Sequence, residues 1–301
     1  MITRIKDYLL HLQQRICAQI TEIEGRDLFL TDDWVKDERI HGRTKIIENG
    51  KIFEKGGIGF SIVHGDKLPP AATARHPELS NAKFQAFGIS LVLHPRSPLV
   101  PTTHLNLRYF VGTPENGAPI WWFGGGYDLT PYYIFAEDCV HWHQQAHLAC
   151  TPFGKDVYNQ YKQWCDQYFY LPHRNEARGI GGLFFDDLNI WDKETCFAFI
   201  QSVGDSFIKA YMPIVKKRCD TPYSEQQREF QLYRRGRYIE FNLLHDRGTL
   251  FGLQSNGRTE SILMSLPPMA IWKYNWHAED NTPEAQLLEA LKPYDWLALA
   301  E

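Results

Sequence analysis

The residues best placed to do chemistry in this 301-residue chain lie in one short run, Thr102-Thr103-His104-Leu105-Asn106-Leu107-Arg108-Tyr109-Phe110. Alternate side chains of an extended strand share a face. His104, Asn106 and Arg108 then point one way, and Leu105, Leu107 and Tyr109 the other. An imidazole, an amide and a fixed cation in a row make a carboxylate reader, because the planar guanidinium fork pairs with both carboxylate oxygens. Just upstream, the apolar alternation of Ile89, Leu91 and Leu93 leaves Ser90 and His94 on the opposite face. The connection through Pro95, Pro98 and Pro101 is short enough for the two strands to pair. Ser90 and His94 would then join His104, Asn106 and Arg108 on one polar floor. A half-exposed antiparallel strand with no site shows the same alternation, so the pattern alone leaves both readings open.

Other residue types add candidates of lower specificity. The chain has twelve histidines. His143 and His147 are four apart on an expected helix and share a face. His173 follows Leu171-Pro172 just past a helix end, where loops often place functional groups. A site built from His94, His104, His143 and His173 would suit a borderline divalent metal. Four unrelated histidines satisfy the same spacing, and no HExxH pattern is present. Asp186 and Asp187 end the run Leu183-Phe184-Phe185. Adjacent carboxylates repel, which raises one pKa; on a strand they face opposite ways, so one of them enters any given site. Asp187 reads equally as catalytic or as the cap of the next helix, a role also open to Asp192. In Asn256-Gly257-Arg258, Gly257 permits close backbone approach, and exposed N–H groups there can hold an anion.

The elements that must carry these residues follow from periodicity. Ile5, Leu9, Leu12, Ile16, Ile20 and Ile23 predict an amphipathic helix stopped at Gly25. Asn49-Gly50 predicts a hairpin within 45–53. Strands are expected at 84–93, 102–111 and 181–188, with a short one from Trp121 to Phe123 ended by Gly124-Gly125-Gly126. Helices are expected at 136–148, 155–169, 193–216, 224–234 and 283–291. A second hairpin is expected from 237–244 and 249–254 around Asp246-Arg247-Gly248. Short connections suggest antiparallel pairing. The expectation is a single α+β domain over 1–301, a large antiparallel sheet with helices packed on it.

Composition excludes several classes. The net charge of −4, with no basic stripe, argues against nucleic acid. No apolar run reaches the ~18 residues of a membrane span, and the N-terminal stretch lacks the long apolar block of a signal peptide. No glycine loop of the nucleotide-binding types sits between strand and helix. The six cysteines lack zinc-ribbon spacing and read as reduced, mostly buried thiols of a cytosolic protein. The 14% aromatic content would serve a large flat ligand or simply a well-packed core.

Several long blocks closely resemble the aerobic coproporphyrinogen III oxidases. They run from His94-Pro95-Arg96-Ser97-Pro98 into 101–110, through Trp121-Trp122-Phe123-Gly124-Gly125-Gly126-Tyr127-Asp128-Leu129-Thr130-Pro131-Tyr132, then 161–166, His173-Arg174 and 179–187, and finally 234–237, 240–244 and 257–268. The resemblance covers nearly the whole chain. It implies a flat antiparallel sheet between helices, and a cytoplasmic homodimer in which about Tyr238 to Lys273 contribute to the interface. It implies an enzyme of heme synthesis that uses molecular oxygen to turn two propionates of a tetrapyrrole into vinyl groups, releasing carbon dioxide and hydrogen peroxide. Because the reduced macrocycle supplies the electrons, neither flavin nor nicotinamide is expected. Carried across, Ser90, Asn106, Arg108, Asn256, Gly257 and Arg258 become substrate contacts. His94, His104, His143 and His173 become divalent-metal ligands, and His104 also a proton donor. Asp186, a carboxylate flanked by aromatics at a strand end, is the expected manager of pyrrole N–H charge. A metal-dependent oxygenase or hydrolase acting on another carboxylated aromatic, and a non-catalytic tetrapyrrole carrier, are the rival readings. Asn175 and Asn256 stand where many relatives have glycine; asparagine tolerates left-handed backbone better than most residues.

Overall fold

The computed structural model of the chain describes residues 1–66, 76–79, 81–115, 117–254 and 257–299. Helix α1 (Ile2–Glu24) buries Ile5, Leu9, Leu12, Ile16 and Ile20 on one stripe. It ends where Gly25 turns left-handed at φ 74°. The Glu24 carboxylate accepts backbone N–H groups of Lys51, Ile52 and Phe53 and so pins the expected hairpin, whose Asn49 has φ 55°.

Strands β1 (Leu30–Asp37), β2 (Ile40–Glu48), β3 (Phe53–Gly65), β4 (Lys83–Pro95), β5 (Thr102–Thr113), β6 (Ile120–Thr130) and β9 (Gly181–Leu188) form one sheet in that order. Every neighbouring pair is antiparallel. A minor ladder joins β7 (Tyr170–Leu171) to β8 (Glu176–Ala177). One face of the main sheet is apolar: Ile58, Ile89, Leu91, Leu105, Leu107, Tyr127 and Leu183 are fully buried. Helices α1, α2 (Ala136–Cys150) and α4 (Lys193–Arg218) complete the core against that face, with Trp142, Phe199, Val203 and Phe207 at no exposure. Helix α3 (Val157–Tyr168) flanks β9, and α8 (Pro283–Ala290) lies near the C-terminus. Among the described residues no helix is long and apolar enough to cross a membrane. The α+β class and the antiparallel sheet are as expected.

Three local expectations are corrected. The glycine run does not end β6: Gly124, Gly125 and Gly126 stay paired to Arg108, Leu107 and Asn106, and the strand continues to Thr130. Nor is there a hairpin over 237–254. Residues 237–244 continue α5 (Glu225–Leu244), and Arg247–Gln254 form α6. Asp246 is not a turn residue between strands. It starts α6 by accepting the Thr249 N–H and hydroxyl on one carboxylate oxygen. Helix α7 (Thr259–Leu263) follows. The helix after β9 is capped by Asp192, which accepts from Glu194 and Thr195, whereas Asp187 lies within β9 with left-handed backbone at φ 50°, where the pairing with β6 shifts register.

Candidate active site

The second face of the sheet carries the site. Register places Ser90 opposite Asn106, Val92 opposite His104 and Gly88 opposite Arg108. On the far side of β5, Asp128 stands opposite His104, Gly126 opposite Asn106 and Gly124 opposite Arg108. Period-two geometry therefore aims His104, Asn106, Arg108 and Asp128 at one side, with bare glycine beside two of them. Gly126 is required: a Cβ there, at φ 138°, would lie 1.9 Å from the Leu183 carbonyl oxygen. One on Gly124 would lie 2.8 Å from the Arg108 guanidinium and would push that side chain aside.

Above this floor opens a cavity of about 280 Å³. Ser90, His104, Asn106 and Arg108 line its base; Tyr168, Phe169 and Phe184 form an aromatic wall. Its roof comes from α5, α6, α7 and the segment after α7, through Tyr238, Asn242, Thr249, Ser261 and Met264.

Two charge pairs set the electrostatics, the first buried and the second partly open to the cavity. Asp128 is fully buried and accepts from Arg178 Nη2 at 2.8 and 2.7 Å and from His104 Nδ1 at 2.9 Å. Burial would raise its pKa, but the Arg178 charge and the His104 contact outweigh burial and hold it below the usual carboxylate value. An ionised Asp128 only accepts, so His104 carries its proton on Nδ1 and keeps Nε2 for the cavity. Arg178 is sandwiched by Phe169, Tyr238 and Phe241, and its other arm donates to Asn242 at 2.9 Å. In the second pair, Arg108 donates to Asp186 at 2.5 Å and to Asn106 at 3.2 Å. Asp186 also meets Arg247 at 3.4 Å. Burial opposes its ionisation, yet Arg108 prevails and its pKa lies below the ordinary value. A carboxylate so held is a weak base at neutral pH.

A family model described as Coproporphyrinogen III oxidase matches residues 4–296. The chain belongs to the coproporphyrinogen III oxidase family. The family decarboxylates coproporphyrinogen III in heme biosynthesis, and a substrate rich in carboxylates suits the floor just described.

Against that chemistry the expected site residues divide. Ser90, His104, Asn106 and Arg108 come together in the cavity. His94 and His143 lie elsewhere and are already consumed. His94 donates Nε2–H to the Ser265 carbonyl and accepts the Thr102 hydroxyl on Nδ1; His143 donates to the Ile180 carbonyl and accepts the Tyr158 hydroxyl. Burial holds both rings neutral, His94 well below its usual pKa and His143 at about 3. His173 pairs at the surface with Glu240 and His245. Among the described residues no three metal-ligating side chains converge, so the four histidines do not fit a common ion. Arg258 lies outside the cavity lining; it pairs with Asp32 at 2.5 Å, caps the Trp34 ring and donates to Ser261. The Gly257 N–H bonds to the Gly252 carbonyl at 2.7 Å, a protein acceptor where an anion was expected. Asn256 lies outside the described residues. Asn175 does take the left-handed conformation, at φ 54°.

The sequence reading missed Asp128, Arg178, Tyr238 and Asn242. Asp128 had a signal: it continues the alternation Gly124, Gly126, Asp128 on a strand that was cut short at its glycines.

Proposed function

We propose that the chain carries out the oxygen-dependent oxidative decarboxylation of two propionates of coproporphyrinogen III, yielding protoporphyrinogen IX. Each propionate, –CH2–CH2–COOH, reacts with one O2 to give –CH=CH2, CO2 and H2O2, the dioxygen taking up the electron pair and both hydrogens. The observation that carries this reading is the row Ser90, Asn106 and Arg108 on a glycine-bared floor beneath an aromatic-walled cavity.

In this reading Arg108, with Asn106 and Ser90, grips a propionate and fixes the register of the macrocycle. His104, oriented by Asp128 through Nδ1, presents Nε2 for proton transfer at the substrate. Asp186 positions Arg108 and is not the proton carrier, because that guanidinium keeps it ionised. The porphyrinogen supplies the electrons, so neither flavin nor nicotinamide takes part, and no step is assigned to a metal. Arg258 ties the roof to β1. The enzyme works in the cytoplasm as a homodimer. The stretch from Tyr238 to Lys273 supplies part of the contact, a role supported by exposed Leu243, Leu244, Phe251, Leu253 and Trp272.

The test is turnover of coproporphyrinogen III by the purified chain with and without oxygen, read as porphyrin fluorescence after oxidation of the products. Vinyl product, CO2 and H2O2 should form with air and cease without it. Tight binding without CO2 release would make the chain a carrier, and equal turnover without oxygen would refute the oxidant.

A further inference from the structure

The floor accounts for one edge of a substrate. The roof contains a second polar feature left without a hydrogen bond among the described residues. Tyr238, on α5, is 1% exposed and lines the cavity. Its ring is fixed on two sides. His94 meets it edge-on at 5.1 Å between centroids, and the Arg178 guanidinium lies 4.6 Å from its centre. Yet its hydroxyl has no hydrogen-bond partner among the described residues. The same holds for the Nε–H of Arg178, the stacked neighbour, which also lines the cavity and whose other two nitrogens are engaged by Asp128 and Asn242.

Buried hydroxyls and guanidinium N–H groups are nearly always satisfied, and an orphan in a rigid setting calls for an explanation. Here two occur on adjacent side chains that both line one cavity. The guanidinium is a pure donor, so the pair asks for an acceptor. The proposed substrate narrows the choice. The pyrrole nitrogens of a porphyrinogen are N–H donors, and its methyl groups and ring edges accept nothing. Its strong acceptors are its carboxylates.

We infer that the Tyr238 hydroxyl and the Arg178 Nε–H form a second carboxylate subsite, on the roof, that receives a propionate other than the one held by Arg108. Tyr238 is then a positioning residue. It touches a substituent and fixes orientation, while the reacting carbon lies elsewhere. The inference rests on the proposed function for the identity of the ligand, and its test separates the two.

Tyr238→Phe keeps the ring, the His94 contact and the stack on Arg178, and removes only the hydroxyl. The expected result has three parts. KM for coproporphyrinogen III and Kd for the non-reacting tetracarboxylate coproporphyrin III, measured by fluorescence quenching, both rise about tenfold, the loss of one hydrogen bond to a charged group. The kcat stays within about twofold. The unliganded protein melts at the same temperature or higher, since a buried orphan has been deleted. An unchanged Kd and KM overturns the subsite. So does a lower unliganded melting temperature, which would mean that the hydroxyl serves the fold. If the wild-type chain binds coproporphyrin III but does not turn over the porphyrinogen, the functional reading falls while the Kd ratio still decides the subsite. A wild-type chain that does not bind it overturns both.

Discussion

Replacement of Asp128 by asparagine tests the electrostatic core of the site most directly. Asp128 and Arg178 are each buried, with 2% of either side chain exposed. The amide would keep the shape and one acceptor but would leave the guanidinium charge without its counter-charge. Removing one partner of a buried pair costs about 3–5 kcal/mol, most of it the penalty of the stranded charge. For a chain of 301 residues the unfolding entropy is roughly 0.6 kcal/mol/K at about 2.1 cal/mol/K per residue, so the melting midpoint should fall by about 5–8 °C. The same change loosens the hold on His104 Nδ1, because an amide can turn its NH2 group toward the ring. Turnover should therefore fall by about 10²-fold or more, even where the protein is folded.

A double-mutant cycle separates the charge term from packing. Arg178→Met removes the cation while filling much of its slot between Phe169, Tyr238 and Phe241. If the stranded charge is the main cost, the double variant should be more stable than the sum of the single losses implies, by at least about 1–2 kcal/mol. Thermal and urea unfolding of the four proteins measure this. Additivity within about 0.5 kcal/mol would refute the reasoning and mean that Asp128 and Arg178 act on the fold independently.

Four further outcomes follow from the same geometry. Gly126→Ala should destabilise the protein by more than about 2 kcal/mol, because a Cβ there would sit 1.9 Å from the Leu183 carbonyl oxygen in a left-handed backbone; an unchanged melting midpoint would contradict it. Asp186→Asn should raise KM more than it lowers kcat, since the carboxylate holds Arg108 and carries no proton; a pure kcat loss at constant KM would restore it as the base. Dialysis against a strong chelator should leave turnover unchanged, because His94 and His143 spend both ring nitrogens on protein partners; loss of activity restored by one equivalent of a divalent ion would refute that. Acid should destabilise the fold. Asp128 lies below its usual pKa and Glu240 at about 2, so the unfolded chain binds more protons as pH falls below about 4; their contribution is complete above that range and is lost on descent through the folded values. Acid titration of the unfolding free energy should show this slope, shallower in Asp128→Asn.

The floor was legible in the sequence because two physical facts did the work. Strand periodicity is two, and the short proline-rich connection forced β4 and β5 to be neighbours, so the faces of Ser90, Asn106 and Arg108 followed without any tertiary knowledge. The roof was not legible. Ile239, Phe241 and Leu243 alternate with Tyr238, Glu240 and Asn242 as strand residues would, and Asp246-Arg247-Gly248 mimics a turn. In the fold, burial of Arg234, Tyr238, Phe241 and Asn242 follows helical spacing, and the aspartate is a helix start. The pairing of Asp128 with Arg178 was beyond reach for a different reason. Fifty residues separate them, and only the docking of the segment before β9 onto β6 brings them together. The histidines failed as a set because residue type says nothing of what each ring already bonds.

The two arginines of the cavity differ in how much of each fork is left for a ligand. Arg108 and Arg178 both face a carboxylate from the sheet, so neither brings an unanswered charge into the fold. Their free donors differ. Arg108 keeps 39% of its side chain exposed and lies in the row with Ser90 and Asn106, so it can share its fork with a ligand carboxylate while Asp186 holds its other side. Arg178 is closed off on both faces by rings and retains only Nε–H. A ligand that exchanged places with Asp186 would take the Arg108 charge from that aspartate; one that binds alongside it leaves the pair matched. The pre-paired floor thus admits a polyanion without leaving a cation uncompensated when the cavity is empty, and it sets the register of that polyanion by geometry more than by net attraction.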